Sequence, residues 1–108
     1  VREIIDELRA LPDPPTAYFA TRDSLVISTM KILKSLSLSV PRDVAVAGFS
    51  DNAEISGFFD PTLTCVVVPI EEMGSTAISY LAELLNSETP LPPLRKHITC
   101  SINLGESC

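Results

Sequence analysis

The sequence has no tryptophan, no C-x-x-C pair, one histidine, and eight lysines and arginines against fourteen aspartates and glutamates. Each shortage removes a class of function. A net charge of −6 without any run of Lys and Arg leaves no concentrated basic face to grip nucleic acid. Cys65, Cys100 and Cys108 are an odd number without paired spacing, a pattern against a disulfide framework or a zinc site. They are expected to act as small apolar residues. The longest apolar runs fall far short of a membrane span, and no basic segment precedes an apolar one as in an export signal. A cytoplasmic protein without membrane contact is therefore expected. His97 follows Arg95 and Lys96 in a strand-like segment away from any nucleophile, which favours a structural role over acid–base chemistry. No G-x-S-x-G elbow, Walker loop, G-x-G-x-x-G turn or metal-ligand cluster occurs. No enzyme, cofactor or metal is expected.

The residues that are present describe a globular α/β chain. Its 108 residues suffice for one ordinary domain, and 45% hydrophobic content favours a filled core over disorder. Its start at Val1 rather than Met, with no capping residue before the first apolar period, is read as a piece of something longer. Val1, Ile4, Ile5, Leu8 and Leu11 share one helical face, and the prolines from Pro12 to Pro15 end that helix. Residues 16–20 read as a short buried strand, after which Asp23 or Ser24 would cap a helix over 24–36. Leu25, Val26, Ile27, Met30, Ile32, Leu33 and Leu36 make its apolar set wider than one stripe. Two readings of that width stand equal: a subunit or lobe contact, or a helix sunk deep in one core.

Residues 40–51, V-P-R-D-V-A-V-A-G-F-S-D, combine a turn, a strand and a cleft edge. Pro41, Arg42 and Asp43 form the turn, and Val44 to Ala47 is an unbroken apolar run, the pattern of a strand covered on both faces. Gly48 would let the backbone leave the sheet at Ser50 and Asp51, where ligands sit in open parallel sheets. Residues 52–59 read as a short helical turn and loop carrying two exposed phenylalanines. A strand over 63–68, a helix over 71–85, a proline-rich connection over 87–93 and a loosely alternating strand over 97–104 complete the chain. The alternation predicts a parallel sheet with helices on both faces. Asp23 and Asp51 each follow a strand, with binding and capping equally open as roles.

Several of these blocks together resemble the LacI/GalR family of transcription regulators. They are P-T-A-Y-F-A-T-R-D at 15–23, the 40–51 stretch, P-T-L-T-C-V-V-V-P at 61–69, E-E-M-G-S-T-A at 71–77 and the closing Glu106-Ser107. The resemblance runs from about Pro14 to the end. It implies the C-terminal part of a two-lobed, periplasmic-binding-protein-like (type I) effector domain, with residues of about 70–86 in the other lobe and the DNA-binding head absent. It further implies a homodimer, a small-molecule effector bound between lobes, and operator DNA reached only through the missing helix-turn-helix. Arg22, Asp23, Ser50, Asp51 and Val68 would line the effector site. Leu25, Ile27, Met30, Ile55, Phe58 and Phe59 would serve the dimer contact.

The family pattern is not kept throughout. Arg22 replaces a usual Asn, Ser50 replaces the Asp that often holds sugar hydroxyls, and Val68 stands at a position often polar. Gly105 replaces a familiar Arg, and Ser37 replaces a Gly expected to cap the long helix in a left-handed conformation. Exchanging acceptors for a guanidinium moves the expected ligand from a neutral sugar towards an anionic one. The alternative is an Arg22 that points to solvent or pairs with Asp51. A periplasmic sugar-binding protein of a transport system is the rival reading of the fold. A doubly wound enzyme or phospho-acceptor domain is a weaker one, because no lysine closes a nearby strand.

Overall fold

The computed structural model describes residues 1–52 and 54–108; Ala53, in the expected helical turn, lies outside the described residues. The chain forms two compact units, Val1–Val68 together with Ser101–Cys108, and Pro69–Cys100.

The first unit runs α1 (Arg2–Arg9), β1 (Ala17–Ala20), α2 (Asp23–Ser35), β2 (Ala45–Ser50), a 3₁₀ turn (Ile55–Phe58), β3 (Thr64–Val67) and β4 (Ser101–Asn103). The strands lie in the order β1-β2-β3-β4, the first three parallel and β4 antiparallel to β3. The sheet is thus mostly parallel, as expected, and His97 lies before the fourth strand rather than in it. Val26 and Leu33 of α2 and Ile5 of α1 meet Ala20, Val46 and Cys65 of the sheet, flanked by Val44 and Leu63, in one buried cluster. Of the expected α1 face only Ile5 is buried.

Burial in β2 alternates residue by residue, Val46, Gly48 and Ser50 being inside. The expectation of a strand covered on both faces is not met by β2 within this unit. On the opposite face Phe19 is 56% exposed and meets Phe49 edge-on, ring centroids 5.4 Å apart. β1 likewise is not the buried strand expected. Nor does β2 end at Gly48. It continues to Ser50, and the glycine serves closeness instead: a Cβ there would stand 2.7 Å from Val26 Cγ2 and 2.8 Å from Ala20 O.

Helix α2 ends in a Schellman motif. Leu38 N–H donates to Leu33 O at 3.0 Å, Ser37 N–H donates to Lys34 O at 3.0 Å, and Ser37 takes a positive φ of 58°. The left-handed cap expected at Ser37 is present, in a residue whose Cβ crowds that conformation. The turn into β2 is closed by Asp43, whose carboxylate accepts from Ser39 N–H at 2.7 Å. That bond, with Arg42 nearby, holds the Asp43 carboxyl below its usual value.

The C-terminal tail locks the start of the sheet. Ser107 is fully buried; its hydroxyl donates to Val46 O at 2.5 Å and accepts from Thr64 N–H at 2.9 Å. Its own carbonyl accepts from Val46 N–H at 2.8 Å. Gly105 passes so near the segment before β3 that a Cβ would lie 2.5 Å from Thr62 O and 2.6 Å from Leu63 C. No arginine, nor any other side chain, fits at 105 in this arrangement.

The second unit is α3 (Ile70–Asn86) followed by an irregular return. Glu71 and Glu72 occupy the first turn, where carboxylates complement the helix dipole. The Tyr80 hydroxyl donates to Pro92 O, while Lys96 Nζ lies 3.4 Å from Glu72 Oε1 and donates to Thr76 Oγ1 at 3.2 Å. No residue of α3 is buried; Ile78 and Leu85 are 68% and 78% exposed.

Two stability changes are expected. Ser37→Gly should raise the unfolding free energy by about 1 kcal/mol by removing the left-handed strain, less a small entropic offset. Ser107→Ala should lower it by about 2 kcal/mol, because Thr64 N–H loses its buried acceptor and Val46 O a donor. Denaturant midpoints at constant m-value measure both; a neutral Ser107→Ala would refute the role of the tail.

Candidate functional site

In a parallel sheet the side chains that meet a ligand lie beyond the carboxyl ends of the strands. Ala20 of β1 pairs with Gly48 of β2, so Arg22-Asp23 and Ser50-Asp51 emerge side by side from neighbouring strands. Val68 follows β3 and is tied into the same rim, its N–H donating to Ser50 O at 2.9 Å. The topology thus brings together all five residues expected at the effector site.

Their states differ. Arg22 is the N-cap residue of α2, extended at φ −155° and ψ 150°, and its carbonyl accepts from Leu25 and Val26 N–H. Neither Asp23 nor Ser24 caps this helix; Asp23 instead occupies the first turn. The Arg22 side chain is exposed and, among the described residues, has no hydrogen bond or ion pair, so the pairing with Asp51 is not formed. Asp51 is likewise exposed and has no ion pair among the described residues. Ser50 is only 2% exposed; its hydroxyl donates to Asn52 O at 2.9 Å and accepts from Asn52 N–H at 3.2 Å. That hydroxyl is committed to the loop it starts. Val68 is half-buried and offers only hydrocarbon.

Asp23 reaches inward. Its Oδ1 is buried and has no hydrogen-bond partner. Burial pushes the Cys65 thiol above its usual pKa, the Asp23 charge adds to the rise, and a bond with Ser56 opposes it. Asn103 Nδ2 donates to Ser56 Oγ at 2.5 Å. The inert, apolar reading fits Cys65, which is 1% exposed, but not Cys100 or Cys108, which are exposed. All three are free thiols.

A second feature of this unit is a groove of about 710 Å³ between α2, the segment after it and the 3₁₀ turn. Of the six residues expected at a dimer contact, Ile27, Met30, Ile55, Phe58 and Phe59 line it. Leu25 does not; it is half-buried and packs against the core. Phe58 is 87% exposed at the groove. The sequence reading passed over Lys31, Lys34, Leu38 and Asp60, which also line it. The spacing of Ile27, Lys31, Lys34 and Leu38, following one helical face and its continuation, was the available signal.

Among the described residues no group of three or more His, Cys, Asp and Glu could hold a metal ion, and no helix is long and apolar enough to cross a membrane.

Comparison with known proteins agrees with this geometry. A family described as the periplasmic binding protein-like domain matches residues 1–108. The transcriptional repressor MelR of Bacillus subtilis is 38% identical over 96 residues, 87% of this chain and 26% of that protein. A complex of the transcriptional regulator CelR with cellobiose superposes with a TM-score of 0.83 at 30% identity, over 98% of this chain and 31% of that one. A sugar-binding LacI-family regulator of Escherichia coli in complex with phosphate gives a TM-score of 0.70 at 31% identity, over 86% of this chain and 32% of that one. The chain spans from about a quarter to about half the length of the curated relatives it matches. It belongs to the periplasmic-binding-protein-like domain family, on the branch of the LacI-type transcription regulators.

Proposed function

We propose that this chain is the effector-sensing and dimerisation portion of a cytoplasmic LacI-type transcription regulator. The observation that carries the reading is the placement of Arg22, Asp23, Ser50, Asp51 and Val68 at adjoining strand ends in a chain of this family. A small sugar-like or anionic effector would be held there against a second lobe. Residues of about 70–86 are assigned to that other lobe, a reading supported by the separate compactness of Pro69–Cys100. Closure on the effector would change how DNA-binding heads elsewhere in the polypeptide sit on an operator, through unequal affinity for two lobe arrangements. The transport-protein alternative is not favoured, since the relative and the solved neighbours described above are transcription regulators.

Arg22 supports the anionic side of this reading. It replaces an uncharged amide with an unpaired guanidinium, which binds carboxylate or phosphate in a bidentate fork. The groove at α2 supports the dimer. Phe58 stands out beside an apolar hollow on the same surface, the combination that a two-fold contact between identical chains requires.

Calorimetry on the full-length protein with sugar acids and sugar phosphates against the plain sugars is expected to favour the charged compounds. Equal affinities would overturn the role given to Arg22. Sedimentation should show Phe58→Asp weakening the dimer about tenfold or more; an unchanged dimer would place the contact elsewhere.

A further inference from the structure

Resting on the effector-site reading, we infer that this site takes a zwitterionic ligand, one with a carboxylate and a protonated amine on a compact polar frame. Among the five strand-end residues the neutral groups are engaged or apolar. The hydroxyl of Ser50 is spent on the Asn52 backbone, the N–H of Val68 on Ser50 O, and the Val68 side chain is hydrocarbon. The side chains of these five left to meet a ligand are charged. Arg22 supplies a guanidinium two residues beyond β1 and Asp51 a carboxylate one residue beyond β2, the two strands being neighbours. Neither is joined to any partner among the described residues, nor are they joined to each other.

Two unpaired opposite charges just beyond the ends of neighbouring strands match a ligand that carries both signs, each end meeting its counterpart. A dianionic phosphate fits less well, because Arg22 alone would face it while Asp23 and Asp51 add two negative charges nearby. Specificity of this kind ranks single-charge analogues below a ligand with both charges, since each leaves one protein charge without its partner.

The test is calorimetry on the full-length regulator with four probes of similar size: fructose, gluconate, aminodeoxyfructose and fructosylglycine. Fructosylglycine, with both charges, is expected to bind at least about tenfold tighter than each of the others, and gluconate to come second because Arg22 still meets its carboxylate. Arg22→Gln and Asp51→Asn should each weaken fructosylglycine about thirtyfold or more. Arg22→Gln should also erase its advantage over aminodeoxyfructose, which a merely structural effect would leave in place. Both side chains are exposed, and unchanged melting temperatures would show that the variants fold. A protein that binds fructose, gluconate or aminodeoxyfructose as tightly as fructosylglycine keeps the sensor reading and overturns this inference. Silence towards all four probes overturns the inference as well. Silence together with failure of the full-length protein to bind any operator DNA overturns the sensor reading too.

Discussion

The buried hydroxyl of Ser107 holds together parts of the chain that are far apart in sequence. It donates to Val46 O and accepts from Thr64 N–H, so the tail is stitched to β2 and to the first residue of β3 at once. Gly105, two residues earlier, has no side chain because the backbone at Thr62 and Leu63 occupies the space one would need. Within this first unit the tail therefore fixes where β2 and β3 begin. Because strand rise is constant, fixing their starts fixes where Ser50 and Val67 end. The positions of the strand-end residues depend on contacts made at the other end of the sheet.

Patterns that depend on local chemistry were legible in the sequence. The helix at 71–85 lies within α3 (Ile70–Asn86), the helix at 24–36 is α2 displaced by one residue, and Ser37 has the left-handed conformation its position called for. What failed depended on neighbours. The apolar run at 44–47 looked doubly covered, yet β2 alternates, since small residues such as Ala45 and Ala47 read as apolar whether or not anything lies over them. Asp23 looked like a cap, but the chain enters the helix one residue earlier, at an arginine. His97 looked like part of a strand whose partner in β3 reaches only the residues from Ser101 to Asn103. Fold class needs only periodicity, whereas coverage and capping need tertiary contacts that no short window contains.

The strand-end rim was legible in position and less so in chemistry. Five residues were named for it, and each lies at or within three residues of the end of β1, β2 or β3. That Ser50 would turn its hydroxyl back on its own loop was not readable, because a serine at a strand end serves a turn as well as a ligand. The neutral hydroxyl of Ser50 is engaged within the protein, while Arg22 and Asp51 have no partner among the described residues.

The missing side chain at Gly48 has a mechanical meaning. A methyl group there would strike Val26 Cγ2 and Ala20 O, so α2 lies against the sheet at a distance only glycine permits. This helix of 13 residues is a rod about 20 Å long. It begins beside Arg22 at the strand ends, and Ile27, Met30, Lys31 and Lys34 along it line the groove. Gly48 thus sets how far the helix stands from the sheet: a larger residue there would push the Arg22 end and the groove-lining residues away from the strands together.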